Sequence, residues 1–307
     1  MRATVAIVTR NRAAALDRAL HAHAQLEVPA GLAWEVVVVD NASTDDTPAV
    51  LDRHAGRLPL RRFVEREPGV SAGRNRAVAE ARGEYLLWID DDAVPERGWL
   101  AAYAAAFTRW PNAALLGGPI DVAFDAPLPD WFQRAWPRVA PVFGYRDLGP
   151  EPLLLPPREN MLPFGTNYVT RAADQRRFVY DVTLGRHPAF PGRGQEETDL
   201  MLAMLQSGLE GRWVPDAKVT HCKGLDRVTT GFLASHWEEY GAYRGQRRPV
   251  AGRPVLGAPP RAWWRALRAL AVYEVTRRTA PPERWIEDLA ERSEALGVLR
   301  GLRARRP

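Results

Sequence analysis

Leu86–Pro95 reads LLWIDDDAVP. Four apolar residues run directly into three consecutive aspartates, Asp90, Asp91 and Asp92. A short, uninterrupted apolar run of this kind suits a strand buried on both faces, as in parallel sheets covered by helices. The end of that strand carries stacked negative charge, which repels itself unless a cation lies close by. The identity of that cation is the question the sequence poses.

The residues upstream supply the rest of such a sheet. TVAIVT (Thr4–Thr9) is a β-branched run, and Arg12–Ala24 follows as a helix carrying Leu16 and Leu20. WEVVVVD (Trp34–Asp40) is a second buried strand, followed by the turn-rich NASTDDT and a helix over Pro48–Ala55. Leu60–Val64 is a weaker strand, Gly69–Ala81 a loop entering a helix, and Tyr85–Ile89 the strand that ends in aspartates. Strands separated by single helices predict right-handed βαβ units, hence a Rossmann-like, mainly parallel α/β sheet flanked by helices. Ligands of such sheets bind beyond the carboxyl ends of the strands. Three of those ends are polar here: Thr9–Asn11, Asp40–Ser43 and Asp90–Asp92.

From Asp121 to Met161 prolines and tryptophans replace this regularity, which predicts a partly irregular insertion over the sheet. Order returns with NYVTRAAD, the helix GQEETDLMLAMLQSG and a strand-like RWVPDAKVTH. Beyond Gly224 the chain reads as mostly helical, broken at the Gly/Pro-rich Arg248–Pro260.

Composition sets the outer bounds. The chain has 307 residues, 46% hydrophobic and 26% charged, enough for one large domain and unlike a disordered chain. Its net charge of +5 and pI of about 9.6 admit anionic ligands of many kinds without selecting one. Cys222 is the only cysteine, which excludes an intrachain disulfide and a multi-cysteine zinc site. The apolar part of MRATVAIVTRNR is too short for a signal peptide, and no run reaches the roughly 20 apolar residues of a membrane span. A cytoplasmic protein is expected.

Three aspartates exceed what helix capping requires. Carboxylate oxygens suit Mg²⁺ or Mn²⁺, which use one or two protein carboxylates plus substrate phosphates. With TVAIVTRNR, WEVVVVDNASTDDT, GVSAGRNRAVAEARGEYLLWIDDDAVP and GQEETDL in this order, the sequence resembles the inverting family 2 glycosyltransferases of GT-A fold. The likeness covers roughly Ala3 to His221. It implies a nucleotide-sugar half over residues 1–115, an acceptor-binding and catalytic half over 116–225, and a C-terminal helical region over 226–307.

The resemblance also implies roles. Asp90-Asp91-Asp92 matches the family's DxD-type motif, with Asp92 as main metal ligand, Asp90 toward the ribose and the register of Asp91 open. Thr9, Asn11 and Arg12 match the first wall of the nucleotide pocket. Asp40 matches the residue that hydrogen-bonds the base, and Arg74 a basic residue beside base or diphosphate. His221 is placed as a further metal ligand.

In the second acidic cluster, the family's Glu-Asp-x-Asp is here Glu196-Glu197-x-Asp199. Glu197 takes the place of the catalytic base, with Glu196 the competing assignment. Asn167, in GTNYV, together with Asp199 and Trp131 is expected on the sugar and acceptor side. Trp136 and Phe164 are further candidates for stacking there.

The implied activity is metal-dependent, inverting transfer from a nucleoside-diphosphate sugar, UDP-sugar by preference, to a hydroxyl of a glycan, lipid-linked saccharide or natural product. A sugar nucleotidyltransferase is the alternative, but it would carry a Gly-rich loop after the first strand, and VTRNRAAAL has no glycine. A non-catalytic nucleotide-binding module is weaker still. Nucleic acid is not expected, since arginines interleaved with aromatics are missing from the first half.

Toward the C-terminus, Arg253–Pro307 holds twelve arginines against six acidic residues. AWWRALRALAVYEVTRR sets Trp263, Leu267, Leu270 and Val275 roughly along one stripe. That stripe can pack on the catalytic domain, form a homodimer or rest peripherally on the inner face of an anionic membrane.

Overall fold

The computed structural model describes residues 1–187, 194–247 and 255–304. In chain order these form β1 (Arg2–Thr9), α1 (Ala13–His23), β2 (Ala33–Asp40), α2 (Thr47–His54), β3 (Leu60–Val64), α3 (Val70–Glu80), β4 (Tyr85–Ile89), β5 (Ala93–Pro95), α4 (Trp99–Arg109), β6 (Ala113–Gly117) and β7 (Ile120–Phe124). There follow α5 (Asp130–Val139), β8 (Asn167–Arg171), α6 (Ala172–Gln175), α7 (Glu196–Gln206), β9 (Glu210–Trp213), β10 (Val219–Lys223), α8 (Thr230–Arg247), α9 (Pro260–Thr279) and α10 (Pro282–Arg303).

The central sheet has seven strands in the order β3-β2-β1-β4-β8-β6-β9. β1, β2, β3 and β4 run parallel, as the alternation of strands and helices predicts. β8 runs antiparallel to both β4 and β6, a direction that apolar content does not encode. Both faces of the sheet are covered, which explains the uninterrupted apolar strands. Val5, Ile7, Val36, Val38, Leu87 and Ile89 face one core with Leu16, Leu20 and Trp99. Ala6, Val37, Val39, Leu86 and Trp88 face the other, with Tyr168, Met201 and Met204.

Register then fixes the site. Thr9 pairs with Asp40 across β1 and β2, and Ala6 pairs with Trp88 across β1 and β4. Thr9, Asp40 and the aspartates after Ile89 therefore share one carboxyl edge. RWVPDAKVTH, read as one strand, is two: β9 joins the large sheet, and β10 joins a three-stranded sheet ordered β5-β10-β7. Pairing of His221 with Ala93 brings the histidine back to the aspartates.

By internal contacts the chain forms two compact units. The first comprises, among described residues, 1–123, 144–187 and 196–222, so both sheet halves belong to it. The second comprises 124–143 and the described residues from 223 onward, with 194–195. Within it α10 packs against α8, α9 and α5, and Arg134 Nε donates to Glu283 Oε1 at 2.7 Å. The stripe expected on α9 is only partly covered within the chain, with Trp263 packed beside the buried face. Ala262, Ala266 and Ala269 form the buried face with Leu299 and Leu302, while Leu267 and Val275 stand exposed. Alanines allow the closer helix approach, while Trp263 packs at the margin of that face. The proposed break at Arg248–Pro260 lies largely outside the described residues.

Candidate active site

The aspartates ending the β4 segment are divided among different partners. Asp91 is 3% exposed, accepts from Thr9 Oγ1 at 2.7 Å and pairs with Arg12 Nη1 at 2.9 Å. Asp92 pairs with Arg12 Nη2 at 2.7 Å and with His221 Nε2 at 2.8 Å. Asp90 accepts from Thr166 Oγ1 at 2.7 Å, with Arg74 Nη2 at 3.8 Å and His221 Nε2 at 3.9 Å. The two arginines thus supply positive charge from within the chain. Burial pushes the Asp91 carboxyl up to about 6 despite Arg12 and Thr9. Against burial and the Asp92 charge, His221, Arg74 and Thr166 hold Asp90 below its ordinary value.

One ligand atom each from Asp90, Asp92 and His221 lies within 4.8 Å of the others. Two carboxylates and one imidazole form a donor set suited to a divalent metal ion. Asp90, expected toward the ribose, sits with this triad. Asp91 has its oxygens spent on Thr9 and Arg12 and orients them.

The loops after β1 and β2 lock together. Asn11, at φ 53°, accepts the Thr44 N–H at 2.7 Å, and its own N–H donates to Ser43 Oγ at 2.9 Å. Asp40 Oδ1 accepts the Ser43 N–H at 2.8 Å in a strand-end turn. Asn41, absent from the sequence reading, donates to the carbonyls of Glu65 and Glu67 and accepts the Gly69 N–H at 2.9 Å. It fixes the loop that leads into α3, and α3 carries Arg74.

Arg74 joins the two acidic clusters. It is 6% exposed, and Nη1 lies 2.7 Å from Glu196 Oε1 and 3.4 Å from Glu197 Oε2. Its guanidinium also lies over the Tyr180 ring, 5.5 Å from the centroid. Against the cost of burial, Glu196 and Glu197 hold the guanidinium pKa well above its ordinary value. Burial, reinforced by the neighbouring Glu197 charge, pushes Glu196 up to about 8. Glu197 is the more open of the two, its side chain 21% exposed against 7%. Gly165 lies against it: a Cβ there would stand 2.8 Å from Glu197 Oε1, so a larger residue would displace the carboxylate.

The three residues expected on the sugar and acceptor side lie in different surroundings. Asn167 is corrected: it is fully buried, with Oδ1 accepting from Trp99 Nε1 at 2.9 Å and the Tyr103 hydroxyl at 2.8 Å. Its Nδ2 donates to the carbonyls of Pro119 and Ala217, so no polar atom remains for a sugar. Its neighbour Thr166, on Asp90, is the site residue of that segment; both stand in the GTN motif, and only the tertiary register separates them. Asp199 is half-buried on the first turn of α7. Trp131 lies on α5 in the second unit, edge-on to Phe132 with centroids 5.4 Å apart.

The glycosyl transferase family 2 model matches residues 4–168. The teichuronic acid biosynthesis glycosyltransferase TuaG of Bacillus subtilis, a putative assignment in its own name, is 28% identical over 106 residues, 31% of this chain and 42% of that protein. The poly(ribitol-phosphate) beta-N-acetylglucosaminyltransferase TarS of Staphylococcus aureus is 31% identical over 94 residues, 30% of this chain and 16% of that protein. The chain therefore spans less than half the length of these relatives. A crystal structure of TarS residues 1–349 with UDP aligns at TM-score 0.56 and 15% identity, covering 98% of this chain and 90% of that one. The mannosyltransferase PcManGT of Pyrobaculum calidifontis, in complex with GDP-Man and Mn²⁺, aligns at TM-score 0.60 and 21% identity, covering 96% and 85%. Since the family model takes in more than half of its residues, the chain belongs to glycosyl transferase family 2, and its fold is that of the GT-A glycosyltransferases.

Proposed function

We propose that the protein is a metal-dependent inverting glycosyltransferase that uses a nucleoside-diphosphate sugar, UDP-sugar by preference, and an acceptor hydroxyl. One observation carries this reading: Arg74 links the Asp90–Asp92–His221 triad to the Glu196–Glu197 pair within one unit. The triad would hold Mn²⁺ or Mg²⁺, which when bound offsets charge on the departing nucleoside diphosphate.

The chain's own groups divide the remaining work. Asp40 turns one oxygen to Ser43, leaving the other for the imide N–H of a uracil. Arg12 and Thr9 fix the aspartate edge. Glu197 takes the acceptor proton as the hydroxyl attacks opposite the leaving phosphate. Glu196 is less suited to that step: it is buried, locked on Arg74 and protonated at neutral pH. The fold neighbours with UDP and with GDP-Man and Mn²⁺ are consistent with this donor class.

Incubating nucleotide-sugars with Mn²⁺ and scoring release of nucleoside diphosphate tests the reading. Turnover with at least one donor is expected, and Glu197→Gln should retain nucleotide binding while losing transfer. Inactivity with every donor, or an active Glu197→Gln beside an inactive Glu196→Gln, would overturn the activity or the base assignment respectively.

A further inference from the structure

Arg146 differs from the ion-paired arginines of its own unit. Arg12, Arg61, Arg74 and Arg171 each pair with a carboxylate within 3.0 Å. Arg146 has no carboxylate partner among the described residues. Its Nη2 donates to the Asn160 carbonyl at 2.7 Å, and its buried Nε has no acceptor. Burial without a counter-charge pushes its pKa down to about 10, so it stays cationic at neutral pH. A half-buried, uncompensated guanidinium is costly, and a fixed fork of N–H donors matches carboxylate and phosphate oxygens.

Its setting is defined from several sides. The guanidinium carbon lies 4.9 Å from the centroid of the Phe164 ring, which stiffens the side chain. Phe164 precedes Gly165, the residue pressed against Glu197. Main-chain pairing with Ile120 anchors the same segment, with N–H to carbonyl distances of 2.8 and 2.9 Å in the two directions. The cation is thus stacked on the residue next to Gly165, and its own segment reaches the metal triad, since a Cβ on Gly144 would stand 2.6 Å from His221 Nδ1.

We propose that Arg146 binds an anionic group, carboxylate or phosphate, of the acceptor, so that the enzyme glycosylates an acidic substrate. This rests on the glycosyltransferase reading of the same site, with Glu197 as base. Phe164 provides the rigid backing, and the Asn160 carbonyl sets the orientation of the fork.

The test is a calorimetric titration of the full chain with inorganic phosphate, glucuronate and glucose, each with and without saturating UDP and Mn²⁺. Phosphate or glucuronate should bind the UDP-loaded enzyme saturably, and the stronger of the two identifies the group. Arg146→Gln should weaken that binding about tenfold or more, with Arg146→Lys intermediate, as loss of a charge-assisted fork requires. Affinity for UDP should not change in these variants, and the melting temperature should not fall. The proposal is overturned if neither anion binds better than glucose, or if Arg146→Gln binds them as wild type does. A loss of UDP affinity in Arg146→Gln assigns the residue to the donor diphosphate instead and likewise overturns it. Failure of the wild type to bind UDP strikes the glycosyltransferase reading, and the nucleotide-free titrations then judge the anion site by themselves.

Discussion

Arg74 Nη1 stands 2.7 Å from Glu196 Oε1, across 122 residues of chain, with both side chains buried. That pairing ties the β4 aspartates to the α7 carboxylates through one guanidinium. Removing it deprives Glu196 and Glu197 of their shared donor, a charge-assisted contact of about 1.5–3 kcal/mol. Arg74→Met should accordingly lower the denaturant midpoint and reduce transfer more than a hundredfold, while Arg74→Lys keeps part of both. Equilibrium unfolding and steady-state rates check this, and an unchanged midpoint would contradict it.

The Glu196–Glu197 pair should register in the pH profile. Glu196 is neutral below about pH 8, because burial and the Glu197 charge raise it. When it ionises, its negative charge makes Glu197 a stronger base, so the rate should rise through about pH 8. Glu196→Gln removes the titrating group, and its profile should be flat there. A rise that persists in this variant would assign the titration elsewhere.

His23 predicts an acid sensitivity unrelated to catalysis. Its ring is buried, Nδ1 donates to the Ala19 carbonyl at 2.7 Å, and burial pushes its pKa down to about 4. The unfolded chain takes up the proton near pH 6.5, whereas the folded chain resists until about pH 4. The stability is therefore complete above about pH 6.5 and falls as pH drops toward 4, by about 3 kcal/mol in all. His23→Leu should flatten the difference in unfolding free energy between pH 7 and pH 4.5, and an unaltered difference would refute the assignment.

Asn167 separates a scaffold role from a sugar-binding one. Asn167→Ala strands the donors of Trp99 and Tyr103 and two carbonyls, at about 2–5 kcal/mol. The loss should appear as a lower melting temperature with kcat and KM preserved at temperatures where the variant stays folded. A raised KM for acceptor with an unchanged melt would restore the sugar role.

Much of this architecture was readable because buried parallel strands leave uninterrupted apolar runs that stop at a polar edge. Thr9, Asp40 and Asp90–Asp92 follow from that alone, and the register of β1, β2 and β4 aligns them. Partner choice was not readable. The charge opposite Asp91 and Asp92 is Arg12, about 80 residues earlier, and nothing local in VTRNR distinguishes Arg12 from Arg10. Likewise, GTN offers two adjacent polar residues of opposite fate, Thr166 on Asp90 and Asn167 in the core. On α9 the stripe through Leu267 and Val275 did not reveal its own partner: the helix buries Ala262, Ala266 and Ala269, and Leu267 and Val275 stay exposed. The dry strand aimed at three acids thus already has two arginines beside it, and the metal triad adds to that compensation.

Calorimetric titration of UDP into the full chain, with and without Mn²⁺, tests the central claim most directly. Mn²⁺ should tighten UDP binding about tenfold or more, and Asp92→Asn should abolish this increment, because carboxylates and phosphates share the ion. Binding of UDP that is indifferent to Mn²⁺ and unaltered by Asp92→Asn would contradict it.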